Sequence, residues 1–169
     1  MKKFFLVLLV LLVIAAVVGY LLPHDYKVER SINIDAKPSR IHELVGDLKR
    51  WDDWMPWKEM DPSVQVTFGK ETKGAHASQT WTGKDGTGFI QFTASDEDKG
   101  IEYDMKMDEM PAKGAVRYER MGDATKVTWS MSGDMDMPVI GGYFALLLPR
   151  MIGGSFEKGL AKLKTEAEK

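Results

Sequence analysis

Ile101-Glu-Tyr103-Asp-Met105-Lys-Met107 and Val127-Thr-Trp129-Ser-Met131 each place an apolar side chain at every second position. Successive side chains of a strand point to opposite faces, so this alternation predicts strands with one buried and one solvated face. Strand-like pieces of the same kind cover Val64–Gly69, Ala75–Thr82, Gly88–Ser95 and Gly114–Met121, and the second alternating stretch extends over Lys126–Asp134. Between them lie turn residues, notably Lys84-Asp85-Gly86, Asp98-Lys99-Gly100 and Gly122-Asp123. Connections this short admit only antiparallel hairpins, because a parallel pair needs a crossover of about a dozen residues or more.

On the amino-terminal side, Tyr26-Lys-Val-Glu-Arg-Ser-Ile-Asn-Ile34 also alternates, with Tyr26, Val28, Ile32 and Ile34 on one face. Pro38-Ser39 then opens a helix with apolar positions Ile41, Leu44, Val45 and Leu48. Proline is favourable in a first turn, where its missing N–H has no helical partner to lose. On the carboxy-terminal side, Ile140–Leu148 is strongly apolar, Pro149 kinks or restarts the helix, and Ser155–Glu168 is amphipathic. There Phe156, Leu160, Leu163 and Ala167 share a face opposite Glu157, Lys158, Lys162, Lys164 and Glu166. The order strand, helices, meander, long helix predicts an α+β domain, a curved antiparallel sheet closed by the carboxy-terminal helix.

Ahead of this domain, Phe4 to Leu22 carries no charge. As a helix it would measure about 28 Å, close to a hydrocarbon core of about 30 Å. A cleaved signal peptide usually has an apolar stretch of about 7–15 residues and a small-x-small cleavage site. Here the run is longer and ends Gly19-Tyr20-Leu21-Leu22-Pro23, so residues 1–22 are expected to be a retained single-pass anchor. Residues 23–25 form a short linker and 26–169 the domain. Lys2 and Lys3 place the amino terminus on the cytoplasmic side and the domain on the extracytoplasmic side, periplasmic or at the surface in a bacterium.

The chain has 23 basic and 25 acidic residues, and Lys2 and Lys3 belong to the anchor, so the folded part is acidic. That composition excludes nucleic acid as the expected partner, since such binding rests on neutralising phosphates. Cysteine is absent, which removes disulfides, thiolate nucleophiles and Cys-ligated metals.

Several local stretches carry a family resemblance: Val28-Glu-Arg-Ser-Ile-Asn-Ile34, Asp47-Leu-Lys-Arg-Trp51-Asp-Asp-Trp54-Met-Pro-Trp57, Thr125-Lys-Val-Thr-Trp129 and Phe156-Glu-Lys-Gly159-Leu-Ala-Lys-Leu-Lys164. In this order the chain resembles the START-like helix-grip superfamily (SRPBCC), in its polyketide cyclase/dehydrase-type branch. The resemblance implies a helix-grip fold of about seven strands around the long helix. It also implies a cavity between them for lipids, sterols, polyketides or other apolar ligands. It does not imply catalysis, because the superfamily mixes binders, transfer proteins and cyclases, and fold alone does not choose among them. No catalytic residue is carried over.

The inward faces of the two opening stretches supply a lining for such a cavity: Tyr103, Met105 and Met107 with Trp129 and Met131, covered from the helix side by Phe144 and Phe156. Trp54 is a further candidate for the pocket mouth, whereas Trp51 and Trp57 read as core aromatics plugging the open end of the sheet. The eleven methionines concentrate around the tryptophan cluster, one hairpin and the last strand. Flexible thioethers suit either a compliant cavity or loose core filling, and both readings stand. His24, His42 and His76 lack metal-ligand spacing and read as solvated surface residues, so no metal and no cofactor is expected. Asp52-Asp53 and Asp134 with Asp136 also read as solvated. The stretch Val139–Leu148 reads as the buried first half of the carboxy-terminal helix, the alternatives being a segment dipping into the bilayer or a lid.

Three functions fit these features. The leading one is membrane-tethered binding of a hydrophobic small molecule or lipid. A cyclase- or hydrolase-like enzyme on an apolar substrate and an interaction module without a ligand are the alternatives.

Overall fold

A computed structural model describes residues 1–169 apart from Asp85 and Glu109, so the middle of the expected Lys84-Asp85-Gly86 turn lies outside the described residues. The apolar run forms helix α1 (Lys2–Leu21), whose side chains are almost all exposed. Its length and composition suffice to cross a membrane. Strand β1 (Asp25–Ile34) follows at once. Next come α2 (Pro38–Val45), a 3-10 turn (Leu48–Arg50), and the short helices α3 (Trp51–Trp54) and α4 (Trp57–Met60).

The meander comprises β2 (Gln65–Phe68), β3 (Ser78–Gly83), β4 (Gly86–Asp96), β5 (Gly100–Met107), β6 (Met110–Met121) and β7 (Ala124–Asp134). Among the described residues these strands and β1 build one seven-stranded antiparallel sheet, ordered β1-β7-β6-β5-β4-β3-β2. The first strand therefore pairs with the last, and β1 and β2 are the two edges. A register shift between Phe92 and Ala94 bends β4, which adds to the curvature. Gly100, at φ 105°, opens β5 where a Cβ would lie 1.8 Å from the Val116 carbonyl oxygen. Only glycine fits that crossing.

Helix α5 (Gly141–Ala167) packs mainly along β1 and continues through Pro149, so the helix does not restart there. Its second half buries Phe156, Leu160, Leu163 and Ala167 against the sheet, as their spacing demands. The core they join includes Val28, Ile34, Ile90, Phe92, Ile101, Val127 and the helix α2 residues Ile41, Leu44 and Val45.

Two expectations fail. The first half of α5 is not buried: Ile140, Phe144, Leu146 and Leu147 are exposed, with only Ala145 and the two glycines turned inward. The sheet covers one narrow face, where Ala145 packs with Tyr26 of β1 and Met135, and the end of α1 covers Gly142. Two of the histidines are not solvated surface residues either. His24 is half-buried, and its Nε2 is shielded from solvent without a hydrogen-bond partner among the described residues. His42 is half-buried, with Nδ1 3.3 Å from the Tyr118 hydroxyl and Nε2 3.1 Å from Ser95 Oγ. Burial lowers its pKa against the opposing pull of Glu97 and Asp96.

Leu163 is fully buried on the gripping face of α5, so Leu163→Ala should cost about 2–5 kcal/mol in chemical denaturation. Lys158→Ala, on the exposed face of the same helix, should stay within about 0.5 kcal/mol.

Candidate functional site

The site is built around Trp129, an inward residue of β7. Its ring stacks on Phe156 of α5 with centroids 3.9 Å apart and planes 18° from parallel. The helix comes this close because α5 has Gly159 there, where a Cβ would lie 2.9 Å from Trp129 Cζ3. Trp129 Nε1 donates to the Tyr103 hydroxyl at 2.9 Å, and Gly114 across from Tyr103 leaves room for that ring. The Tyr103 hydroxyl is sealed from water, and burial pushes its pKa up to about 12. Behind Trp129 the fully buried Trp54 ring meets it edge-on at 5.5 Å, while Trp54 Nε1 donates to the Leu44 carbonyl at 3.2 Å. Both indole N–H groups of this cluster have acceptors, as a dry site requires.

In front of Trp129 lies a half-open cavity of about 230 Å³. One wall is Met105, Met107, Trp129 and Met131 of the sheet, and the facing wall is Ile152, Ser155 and Phe156 of α5. Trp57, Met60, Asp61 and Val64 complete the lining together with Trp81, Gly83 and Gly86 of the β3–β4 hairpin, which they meet at Gly83. Met60 and Met107 are the exposed members and mark the rim. The Trp57 and Trp81 rings are in contact, with centroids 5.5 Å apart and planes at 38°. Trp81 is held there by its cross-strand partner Gly88, where a Cβ would sit 1.9 Å from Trp81 Cζ2.

Asp61 is the charged side chain among the described lining residues. Its Oδ1 accepts from the Ser63 hydroxyl at 2.6 Å and the Ser63 amide at 3.0 Å, and its Oδ2 accepts from the Lys84 amide at 3.0 Å. The Ser63 hydroxyl hydrogen bond above all holds the carboxyl below the ordinary carboxylate range. Asp61 is therefore an ionised staple joining the α4–β2 loop to the β3–β4 turn. Ser155, the other polar lining side chain that is engaged, donates to Met60 Sδ at 3.4 Å. No group of three metal-ligating side chains converges anywhere among the described residues.

Of the residues expected to line a cavity, Met105, Met107, Trp129, Met131 and Phe156 are brought together at it. Trp54 and Tyr103 sit behind the wall in the core, and Phe144 is exposed on the first half of α5, away from the cavity. Trp51 is core as expected, but Trp57, expected as core, faces the cavity. Trp81, Met60, Asp61 and Ile152 were not anticipated. Asp61-Pro-Ser63 did carry a signal, since Asp followed two residues later by an amide donor is a turn signature.

The model of a protein family described as "Polyketide cyclase / dehydrase and lipid transport" matches residues 25–168. The chain belongs to this family. No curated protein matches it by sequence at a significant level. Among solved structures it is similar to protein CV1439 from Chromobacterium violaceum, at 10% identity over 85% of this chain and 99% of that one, TM-score 0.63. It is also similar to the Zhui aromatase/cyclase from Streptomyces sp. R1128, at 14% identity over 85% and 94%, TM-score 0.60. TTHA0849 from Thermus thermophilus aligns at 16% identity over 83% and 96%, TM-score 0.59. At these identities the neighbours share the helix-grip fold, and the chemistry of the cavity rests on this chain's own residues.

Tyr103→Phe would leave Trp129 Nε1 buried without its acceptor, and should lower stability by about 1–3 kcal/mol in denaturant titration. Because Asp61 is depressed, its stabilising contribution is present above the ordinary value of 3.8 and lost as pH falls through the lower folded value. Ser63→Ala should raise the folded value, so that carboxyl NMR shifts of Asp61 titrate at higher pH than in the parent protein.

Proposed function

We propose that this protein is a membrane-tethered binder of a hydrophobic small molecule or of part of a lipid, taken up between the sheet and α5. The observation that carries this reading is the cavity wall of methionines and tryptophans, in which the one described carboxylate is already saturated by its own neighbours. Thioethers are polarisable and change rotamer cheaply, so such a wall accepts irregular apolar shapes without offering polar selection. At about 230 Å³ the cavity is slightly below the range of about 300–1,000 Å³ usual for drug-sized ligands. It suits one ring system or a short acyl segment, with the remainder lying across the rim at Met60 and Met107. A family described in part by lipid transport makes a lipid-derived ligand a reasonable class.

Cyclase chemistry would need a group beside the ligand that exchanges protons near neutral pH. Asp61 is held ionised, and the Tyr103 hydroxyl is high in pKa and shielded behind Trp129. The lining therefore favours binding. Helix α1 supplies the tether in this reading, with Lys2 and Lys3 on the cytoplasmic side and the domain on the other.

Two measurements test the proposal on the full chain extracted from membranes. Its intact mass should include the residues of α1. Native mass spectrometry should also show a co-purified apolar species. Met131→Trp, which fills the cavity from the sheet side, should remove that species while the thermal unfolding of the protein stays cooperative. A ligand retained equally by Met131→Trp would place binding elsewhere and sink the cavity as the site.

A further inference from the structure

Helices α1 and α5 are packed together, and the contact is a built one. Gly19 and Gly142 meet at the crossing: a Cβ on Gly19 would lie 2.0 Å from the Val139 carbonyl oxygen, and one on Gly142 would lie 3.0 Å from the Gly19 carbonyl oxygen. Such small residues are what let two apolar helices approach closely in lipid. Val139 itself adopts φ 69°, a costly conformation for a β-branched residue, and turns the chain into α5 at this contact. The Tyr143 hydroxyl donates to the Ala15 carbonyl at 2.8 Å.

That hydrogen bond fixes a depth. Ala15 lies six residues before the end of α1 at Leu21, or about 9 Å along the helix axis. If the end of α1 stands at the edge of the hydrocarbon, the Tyr143 hydroxyl stands inside it. The start of α5, with Gly142 against Gly19 and Leu22, then lies at that edge with the Tyr143 ring reaching inward.

The outward face of α5 agrees with this placement. Its exposed positions run Ile140, Tyr143, Phe144, Leu147 and Met151, at helical spacing, and then change character at Gly154 and Lys158. Phe144 is 45% exposed, Leu147 50% and Met151 67%. From Met137 to Pro149 there is no charge, and the first charge beyond is Arg150, exposed and suited to a lipid phosphate. Exposed apolar rows of this size mark an interaction surface. Continuity with α1, the absence of charge and the terminal arginine all specify a bilayer as the occupant.

We infer that the amino-terminal half of α5 is a second membrane-embedded element, seated in the same leaflet as the end of α1 and leading into the cavity at Ile152. The inference rests on the tether reading of α1 and adds to it a fixed orientation of the domain. Ile152 and Ser155 of the cavity wall follow Tyr143 within the next few turns of the same helix. The cavity wall is thereby held beside the headgroups, with the exposed apolar face of α5 leading from it towards the acyl chains, where an apolar ligand resides.

The natural absence of cysteine makes a direct test simple. Single nitroxide labels would be placed by Val10→Cys, Phe144→Cys, Leu147→Cys and Lys158→Cys in the full chain, in phosphatidylcholine/phosphatidylglycerol vesicles. All four positions are exposed, and retained cooperative unfolding confirms that each variant is folded. Collision with oxygen should dominate over collision with a water-soluble nickel chelate at 10, 144 and 147, and the reverse should hold at 158. Labels at 144 and 147 that behave like 158 while 10 remains oxygen-dominated would overturn the inference and leave the tether standing. A nickel-dominated label at 10 overturns the tether and this inference together. Labels at 144 and 147 shielded from both reagents would show a protein covering this face, a second copy or another chain, and would also overturn it.

Discussion

The stacking of Trp129 on Phe156 is the contact through which the sheet holds its helix, and most of the site follows from it. A stacked pair of this kind brings the helix axis unusually near the sheet, which the helix tolerates only with a residue lacking a side chain at Gly159. Placing an indole so deep also creates an obligation, because its N–H must find an acceptor away from water. Tyr103 meets it from the neighbouring strand β5, and Gly114 opposite makes the space for the tyrosine ring. Trp54 then closes the rear edge-on, so that four elements of the chain converge on one ring. An aromatic wall assembled this way is rigid.

The rigidity behind Trp129 contrasts with what lies before it. Met105, Met107 and Met131 share the cavity with Met60, and unbranched thioethers fill space loosely where branched aliphatics would interlock. Trp81 adds a broad surface only because Gly88 lets it lie flat across the strand. The cavity thus exists where the sequence uses flexible and missing side chains against one fixed ring. Asp61 does not change its character, since its charge is spent on tying two loops together.

How much of this was legible depended on whether the signal was local. The period-two pattern of β5 and β7 and the helical pattern of Phe156, Leu160 and Leu163 report directly which face is buried, and five wall residues follow from them. Tryptophans 51, 54 and 57 look alike in sequence, but the chain leaves helix α3 at Met55-Pro56 before starting α4. That break turns Trp57 towards the cavity while Trp51 and Trp54 stay in the core, and no periodicity spans it. Val139–Leu148 misled for a different reason. Apolar content says that a segment will be covered without saying by what, and here the sheet covers only the narrow face that carries Ala145. His42 likewise took its burial from β6 and the end of β4, elements distant in sequence.

Helix α5 unites these parts, because its first half touches α1, its middle lines the cavity and its last turns complete the core. A load applied at one end of a helix is carried along it unless the backbone hydrogen bonds are interrupted. They are interrupted at Pro149, which has no N–H to offer the Ala145 carbonyl. This weak point falls between the apolar exposed face and Ile152, the first cavity residue on the helix. A proline inside a helix is a usual site for a bend. In the proposed arrangement the membrane half is fixed by α1 and the core half by Phe156, Leu160 and Leu163.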